Sequence, residues 1–262
     1  MKNRINTASR IAMAMMATAL TFGVVGCGDD TTEPTSLAKT ITGDTKTVGN
    51  GTATAWMKLG DDGKPTSVGV TLTAAAFDSL PTAPFPPAEY NLMLPAEASA
   101  TAYNHVGLDW NSQGHEPTGV YTLPHFDVHY YQITQAERAA ITPADSLTGY
   151  IQPGADYIAK DYTLPPGIVP GMGFHAVDTT SHELHGTTFD KTMIYGYFKG
   201  NMIFTEPMIT RAYLLSNPDF TGNLKLPNKY PVAGKYYATK YSIKYDASKK
   251  EYTISLDGLT LR

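Results

Sequence analysis

The sequence predicts a mainly β fold, a β-rich barrel or sandwich with two or more short helices. Three features point there: abundant tyrosine and threonine, frequent glycine and proline, and turn signals set between apolar runs too short to be helices. Of 262 residues, 17 are tyrosine, 23 glycine and 18 proline, while long Leu/Ala/Glu/Lys stretches are few. β-Branched and aromatic side chains suit a pleated surface, and Gly and Pro supply the backbone angles of tight turns.

In chain order, residues 52–59 and 67–73 flank Asp61-Asp62-Gly63-Lys64, a hairpin signature with Gly where positive φ is needed. Residues 124–131 (PHFDVHYY) form a strand in an aromatic and β-branched context that runs to Ile133. Thr134 followed by Glu137 makes a capping box that opens a short helix through Ile141. Residues 188–198 and 201–208 flank Lys199-Gly200 as a second hairpin, and residues 210–216 are apolar enough for the other helix. Residues 235–245 and 251–256 are the third hairpin. Proline clusters at 81–87 and 165–170 mark extended loops that no helix crosses.

The first residues set the compartment. Lys2, Arg4 and Arg10 precede an apolar run from Ile11 to Val25, the layout of a cleavable signal peptide and too short to span a bilayer. The run ends in Val24-Val25-Gly26-Cys27, which resembles the lipobox of bacterial lipoproteins, whose cysteine is acylated and becomes the new N-terminus. Cys27 is the only cysteine, so no internal disulfide forms, and lipidation gives the lone thiol a role. The expected organisation is a signal peptide at 1–27, a flexible polar tether at 28–45 and one β-rich extracytoplasmic domain at 46–262. Its expected place is the cell envelope, anchored to a membrane by lipid on Cys27. Removing residues 1–27 takes away three positive charges and no negative one, moving the net charge from −4 to −7. An acidic surface argues against nucleic acid as a partner.

The chemistry concentrates in PHFDVHYY. On a strand, alternate side chains share a face, so His125, Asp127 and His129 point one way and Phe126, Val128 and Tyr130 the other. Imidazole and carboxylate are the usual ligands of divalent transition metals. Positions four apart on a strand lie about 13 Å apart, so His125 and His129 share one ion only across a bulge or strong twist. His175 in Gly171-Met172-Gly173-Phe174-His175 and Glu206 in Glu206-Pro207-Met208 complete the candidate ligand set. His115, Asp178 and Tyr131 are expected to line it. The set resembles that of a cupin metal site in chemistry only, since the cupin His-x-His spacing is absent. A catalytic version would use the metal to activate water or oxygen, with Glu206 or Asp127 as base. His182-Glu183-Leu184-His185 falls one residue short of His-Glu-x-x-His and reads as a polar loop. No Gly-x-Ser-x-Gly elbow, phosphate-binding loop, dinucleotide fingerprint or calcium loop is present.

The segments DWNSQGHEPTGVYTLPHFDVHYY, GMGFHAVD and TMIYGYFKGNMIFTEPMIT resemble a family of secreted bacterial proteins classed as a domain of unknown function, some members of which are labelled structural proteins. The likeness covers roughly residues 50–216 and implies a shared fold without a reaction. Members of that family carry tryptophan after the histidine of the second segment, where this chain has Ala176. Three functional readings therefore stand: a metal-binding envelope lipoprotein, a structural or scaffolding homo-oligomer whose histidines brace the fold, and a small-molecule carrier with a tyrosine-lined pocket.

Overall fold

The computed structural model describes residues 36–83 and 86–262. The expected signal peptide, Cys27 and the first part of the tether lie outside these. The strands in chain order are β1 (Lys39–Val48), β2 (Gly51–Leu59), β3 (Pro65–Thr73), β4 (Ala88–Met93), β5 (His105–Asn111), β6 (His125–Tyr131), β7 (Tyr162–Thr163) and β8 (Phe174–Asp178). They continue as β9 (Lys191–Phe198), β10 (Asn201–Thr210), β11 (Asp219–Asn223), β12 (Tyr236–Tyr237), β13 (Lys240–Asp246), β14 (Glu251–Asp257) and β15 (Thr260–Leu261). Two short helices, α1 (Gln135–Ala139) and α2 (Arg211–Leu215), complete the mainly β fold.

Six strands pair in the order β1-β2-β3-β14-β13-β11, seven in the order β4-β5-β6-β10-β9-β8-β7, and β12 with β15. Every one of these ladders is antiparallel, and the larger sheets stay open, so the fold is a sandwich and not a closed barrel. Between the two sheets lies the core. Ala53, Ala55, Met57, Val68 and Val70 from the smaller sheet meet Val106, Leu108, Phe126 and Val128 from the larger. Tyr130 reaches across it, its hydroxyl donating to the Ile254 carbonyl at 2.6 Å. That bond satisfies the one polar atom a buried tyrosine brings into an apolar layer.

The three expected hairpins form as β2–β3, β9–β10 and β13–β14. At the second, Lys199 (φ 50°) and Gly200 (φ 78°) both take left-handed backbone, the two-residue turn whose twist matches the flanking strands. α1 carries the expected capping box: the Thr134 hydroxyl accepts from the Glu137 N–H at 3.2 Å and Glu137 accepts from the Thr134 N–H at 2.8 Å. α2 is capped by Thr210, the last residue of β10. Among the described residues no helix is long and apolar enough to cross a membrane.

One boundary differs from expectation. The tether was expected to run to residue 45, yet regular structure begins at Lys39, because Thr40, Thr42, Thr45 and Thr47 suit an edge strand paired with β2. The polar composition that suggested a linker belongs to a strand with its outer face in solvent.

Candidate functional site

β6 is buried on both faces. Phe126, Val128 and Tyr130 enter the main core, while His125, Asp127, His129 and Tyr131 leave the opposite face of the seven-stranded sheet. A second apolar cluster, including Tyr121, Ile141, Phe189, Phe204 and Met208, covers that face. The polar stripe read from the sequence is therefore enclosed by loops and not open to solvent.

Register decides which groups meet. Across β5, Asn111 lies opposite His125, Asp109 opposite Asp127, Gly107 opposite His129 and His105 opposite Tyr131. Across β10, Met208 faces Asp127 and Phe204 faces Tyr131, which leaves Glu206 beside His129. β8 brings His175 opposite Gly196, itself opposite Phe204. Gly107 is required at its position, since a Cβ there would lie 2.9 Å from Tyr131 Cε2. The Tyr131 ring, stacked on His129 at 5.3 Å, occupies the space.

The side chains gather into two groups, each with two imidazoles and one carboxylate whose ligand atoms lie within 4.8 Å of one another. In the first, Asp127 Oδ1 is 3.0 Å from His125 Nε2 and Oδ2 is 3.4 Å from His115 Nε2. In the second, Glu206 Oε1 is 3.4 Å from His129 Nε2 and Oε2 is 4.0 Å from His175 Nε2. Asp109 Oδ2 stands 3.2 Å from the other ring nitrogen of His129. Two donors bound to one tetrahedral ion at 2.0–2.2 Å are roughly 3.4 Å apart, and these separations bracket that spacing.

The outer nitrogens fix the tautomers. His125 Nδ1 meets the Leu123 carbonyl at 2.6 Å and His115 Nδ1 meets the Glu116 carbonyl at 2.6 Å. A carbonyl only accepts, so each Nδ1 donates to it, and Nε2 is the ring nitrogen that each histidine turns toward Asp127. His125 Nε2, Asp127 Oδ1, both ring nitrogens of His129, both oxygens of Asp109 and Glu206 Oε2 are buried without a hydrogen-bond partner, although they lie at ion-pair distance from one another. Asn111 relieves one carboxylate oxygen, its amide donating to Asp127 Oδ2 at 2.7 Å. Unpaired groups of this kind cost about 1–3 kcal/mol each, more when charged.

The electrostatics record the same crowding. Burial opposes charge on Asp127, yet His125 and His115 hold its carboxyl well below the usual carboxylate range. Burial likewise opposes charge on His115, but Asp127 outweighs it and lifts the ring to about 9. His129, buried and flanked by Glu206 and Asp109, is also lifted to about 9. Glu206 is pushed up to about 8 by burial, with His129 working against the rise. Burial and then the charge on His129 depress His175 to about 3.

The five expected ligands thus converge, but in two sets: His125 and Asp127 with His115, and His129 and Glu206 with His175. This division removes the 13 Å difficulty of placing His125 and His129 on one ion. His115, expected only to line the site, belongs to the first set, and Tyr131 lines the second. Asp178 does not take part. Its carboxylate is held by Lys225 Nζ at 2.8 Å and by Thr180, a saturated ion pair outside both groups. Asp109 and Asn111 escape sequence reasoning; the signal for them is that Asp109-Trp110-Asn111 alternates as PHFDVHYY does, so two acceptor-bearing faces pair. His182–His185 is a short helical turn whose Glu183 accepts from the Tyr121 hydroxyl at 3.3 Å.

Residues 60–110 match the family described as TTHB210-like, hypothetical protein TTHB210. The matched stretch runs from the β2–β3 turn into β5, as far as Trp110, so it contains Asp109 but none of the six residues of the two groups. No curated protein and no solved structure matches the chain. The TTHB210-like description fits an uncharacterised domain family and names no reaction.

Proposed function

We propose that this chain is an envelope lipoprotein, held to a membrane by lipid on Cys27, whose β sandwich keeps divalent transition-metal ions at two buried centres. One centre comprises His115, His125 and Asp127, the other His129, His175 and Glu206. The observation that carries the reading is the pair of Nε2 atoms of His115 and His125 converging on one buried carboxylate, each ring held from behind by a carbonyl at Nδ1, an arrangement that suits a cation between them. Two imidazoles and a carboxylate suit zinc, manganese, iron or copper. The carbonyls of Leu123 and Glu116, and the Asp109 carboxylate beside His129, take the place of the outer partners that orient metal-bound histidines. The resemblance of three segments to a secreted bacterial family, together with the lipobox pattern, supports a place outside the cytoplasm.

Protons on His115 and His129, both lifted to about 9, would also satisfy the carboxylates, and this favours the second reading, a structural protein braced by buried ion pairs. Elemental analysis separates the two. The intact chain, extracted from membranes and freed of any histidine tag, is expected to carry close to two transition-metal ions, one for each group. A metal-free protein whose melting temperature ignores added zinc, manganese, iron and copper would leave the bracing role. Radiolabelled palmitate is expected on the wild type and absent from Cys27→Ala, which should also leave the membrane fraction.

A further inference from the structure

The outer face of the six-stranded sheet carries a groove that shares no residue with the metal groups. On β2, Thr52, Thr54, Trp56 and Lys58 alternate with the core residues Ala53, Ala55 and Met57 and so point outward. Register sets Thr42 beside Trp56 on one flank, with Gly69 beside Trp56 and Thr71 beside Thr54 on the other. These residues, closed off at one end by Glu251 of β14, form a groove of about 350 Å³.

Trp56 is the floor. A Cβ at Gly69 would lie 2.3 Å from Trp56 Cζ2, so the indole rests on bare backbone of β3 where any larger residue would lift it. Its Nε1 donates to the Thr71 hydroxyl at 2.9 Å, and Thr71 contacts the Thr253 hydroxyl at 3.3 Å. The ring is therefore pinned before any ligand arrives, which lowers the entropy cost of binding.

We propose that this groove binds a neutral oligosaccharide, one pyranose ring stacked on Trp56 and its hydroxyls bonded to the surrounding threonines. The C–H face of a sugar ring is apolar and weakly positive, which matches the negative face of an indole. Its rim of hydroxyls needs short groups that both donate and accept, and threonine provides these. A purely apolar ligand would strip water from the threonine hydroxyls and leave them unpaired. Charge selects further: the lining carries one cation, Lys58, and one anion, Glu251, so a neutral ligand is its electrostatic complement. From Thr52 to Lys58 the floor runs about 20 Å, longer than one sugar ring.

Tryptophan fluorescence tests this directly, because the chain has two tryptophans and the other, Trp110, is only 5% exposed with its Nε1 held by the Pro81 carbonyl. The intact protein, in a detergent without a sugar headgroup, is titrated with cellotetraose and chitotetraose. A saturable change in emission is expected with at least one of them. Trp56→Ala removes the reporting ring itself, so its effect is read by calorimetry, where affinity should fall about tenfold or more with the loss of the stacked ring. Thr54→Lys fills the groove from an outward position and should weaken binding similarly, which keeps the test decisive if Trp56→Ala does not fold. No response to either sugar at millimolar concentration, an unchanged calorimetric affinity in both variants, or equal binding of an oligogalacturonate would overturn the proposal. Removing metal should not alter the titration, so this inference and the metal reading fail independently.

Discussion

Asp109 belongs to neither of the two groups, yet it stands 3.2 Å from the ring nitrogen of His129 that a metal would not use. Replacing it with asparagine keeps the shape and removes the charge. If His129 is a ligand, Asp109→Asn should weaken metal binding at that centre by about 10–100-fold, the usual effect of losing an outer partner, and leave the His115 centre unchanged. Competitive titration against a chromophoric chelator measures both; equal affinities before and after would remove His129 from the ligand set. A second expectation concerns pH. In the metal-free protein His115 and His129 keep their protons to about 9, against 6.5 for an ordinary histidine, and Glu206 keeps its proton to about 8, against 4.5. A folded group that holds its proton to higher pH than the unfolded chain contributes stability that is complete below the unfolded value and is lost as pH rises. His175, depressed to about 3, works in the opposite sense but only below 6.5. Melting temperature in the presence of chelator should therefore fall between pH 6.5 and 9. With metal bound the slope should flatten or reverse, because ligands must be deprotonated to bind. A metal-free profile that rises across this window would contradict the arrangement of charges.

At the scale of elements, the alternation of PHFDVHYY was legible because a strand has a period of two whatever it packs against, and so were the hairpins, whose turns need Gly63 and Gly200. What could not be read was partnership. Asp109 meets His129 only because β5 and β6 pair in one register, and nothing within either segment specifies that register. Likewise the covering of the polar face depends on Tyr121, in the loop just before β6, and on Phe189, which arrives from a loop far along the chain. The expectation for Asp178 failed for a related reason: it shares β8 with His175, but Lys225, far along the chain, claims its carboxylate. Register makes Gly107 a sensitive point. A valine there would push against Tyr131 Cε2, already 2.9 Å from the site of a Cβ, and disturb the ring stacked on His129. Gly107→Val is expected to cost about 1–3 kcal/mol by denaturant titration, typical of overpacking, and to weaken the His129 centre more than the His115 centre. Equal weakening of both would indicate a general loss of fold, with no special role for the Tyr131 stack.

For the molecule as a whole, β1 decides where the folded unit begins. It pairs with β2 along its length, from Lys39 opposite Leu59 to Val48 opposite Gly51, and it also reaches the edge of the other sheet. Asp44 Oδ2 accepts from the Met93 N–H of β4 at 3.1 Å, and Gly43 passes so close that a Cβ would lie 2.2 Å from the Met93 carbonyl. The strand thus ties one edge of the sandwich together across its open side. A chain begun at Lys46, the boundary that composition alone suggests, would lose the Asp44 tie and expose the edge of β2 as an unpaired ladder, a template for association. A chain begun at Ser36 keeps both. The shorter form is therefore expected to melt lower and to aggregate at concentrations where the longer one stays monodisperse by light scattering. Matching melting curves and matching scattering would show that β1 is dispensable, and would return residues 39–45 to the tether.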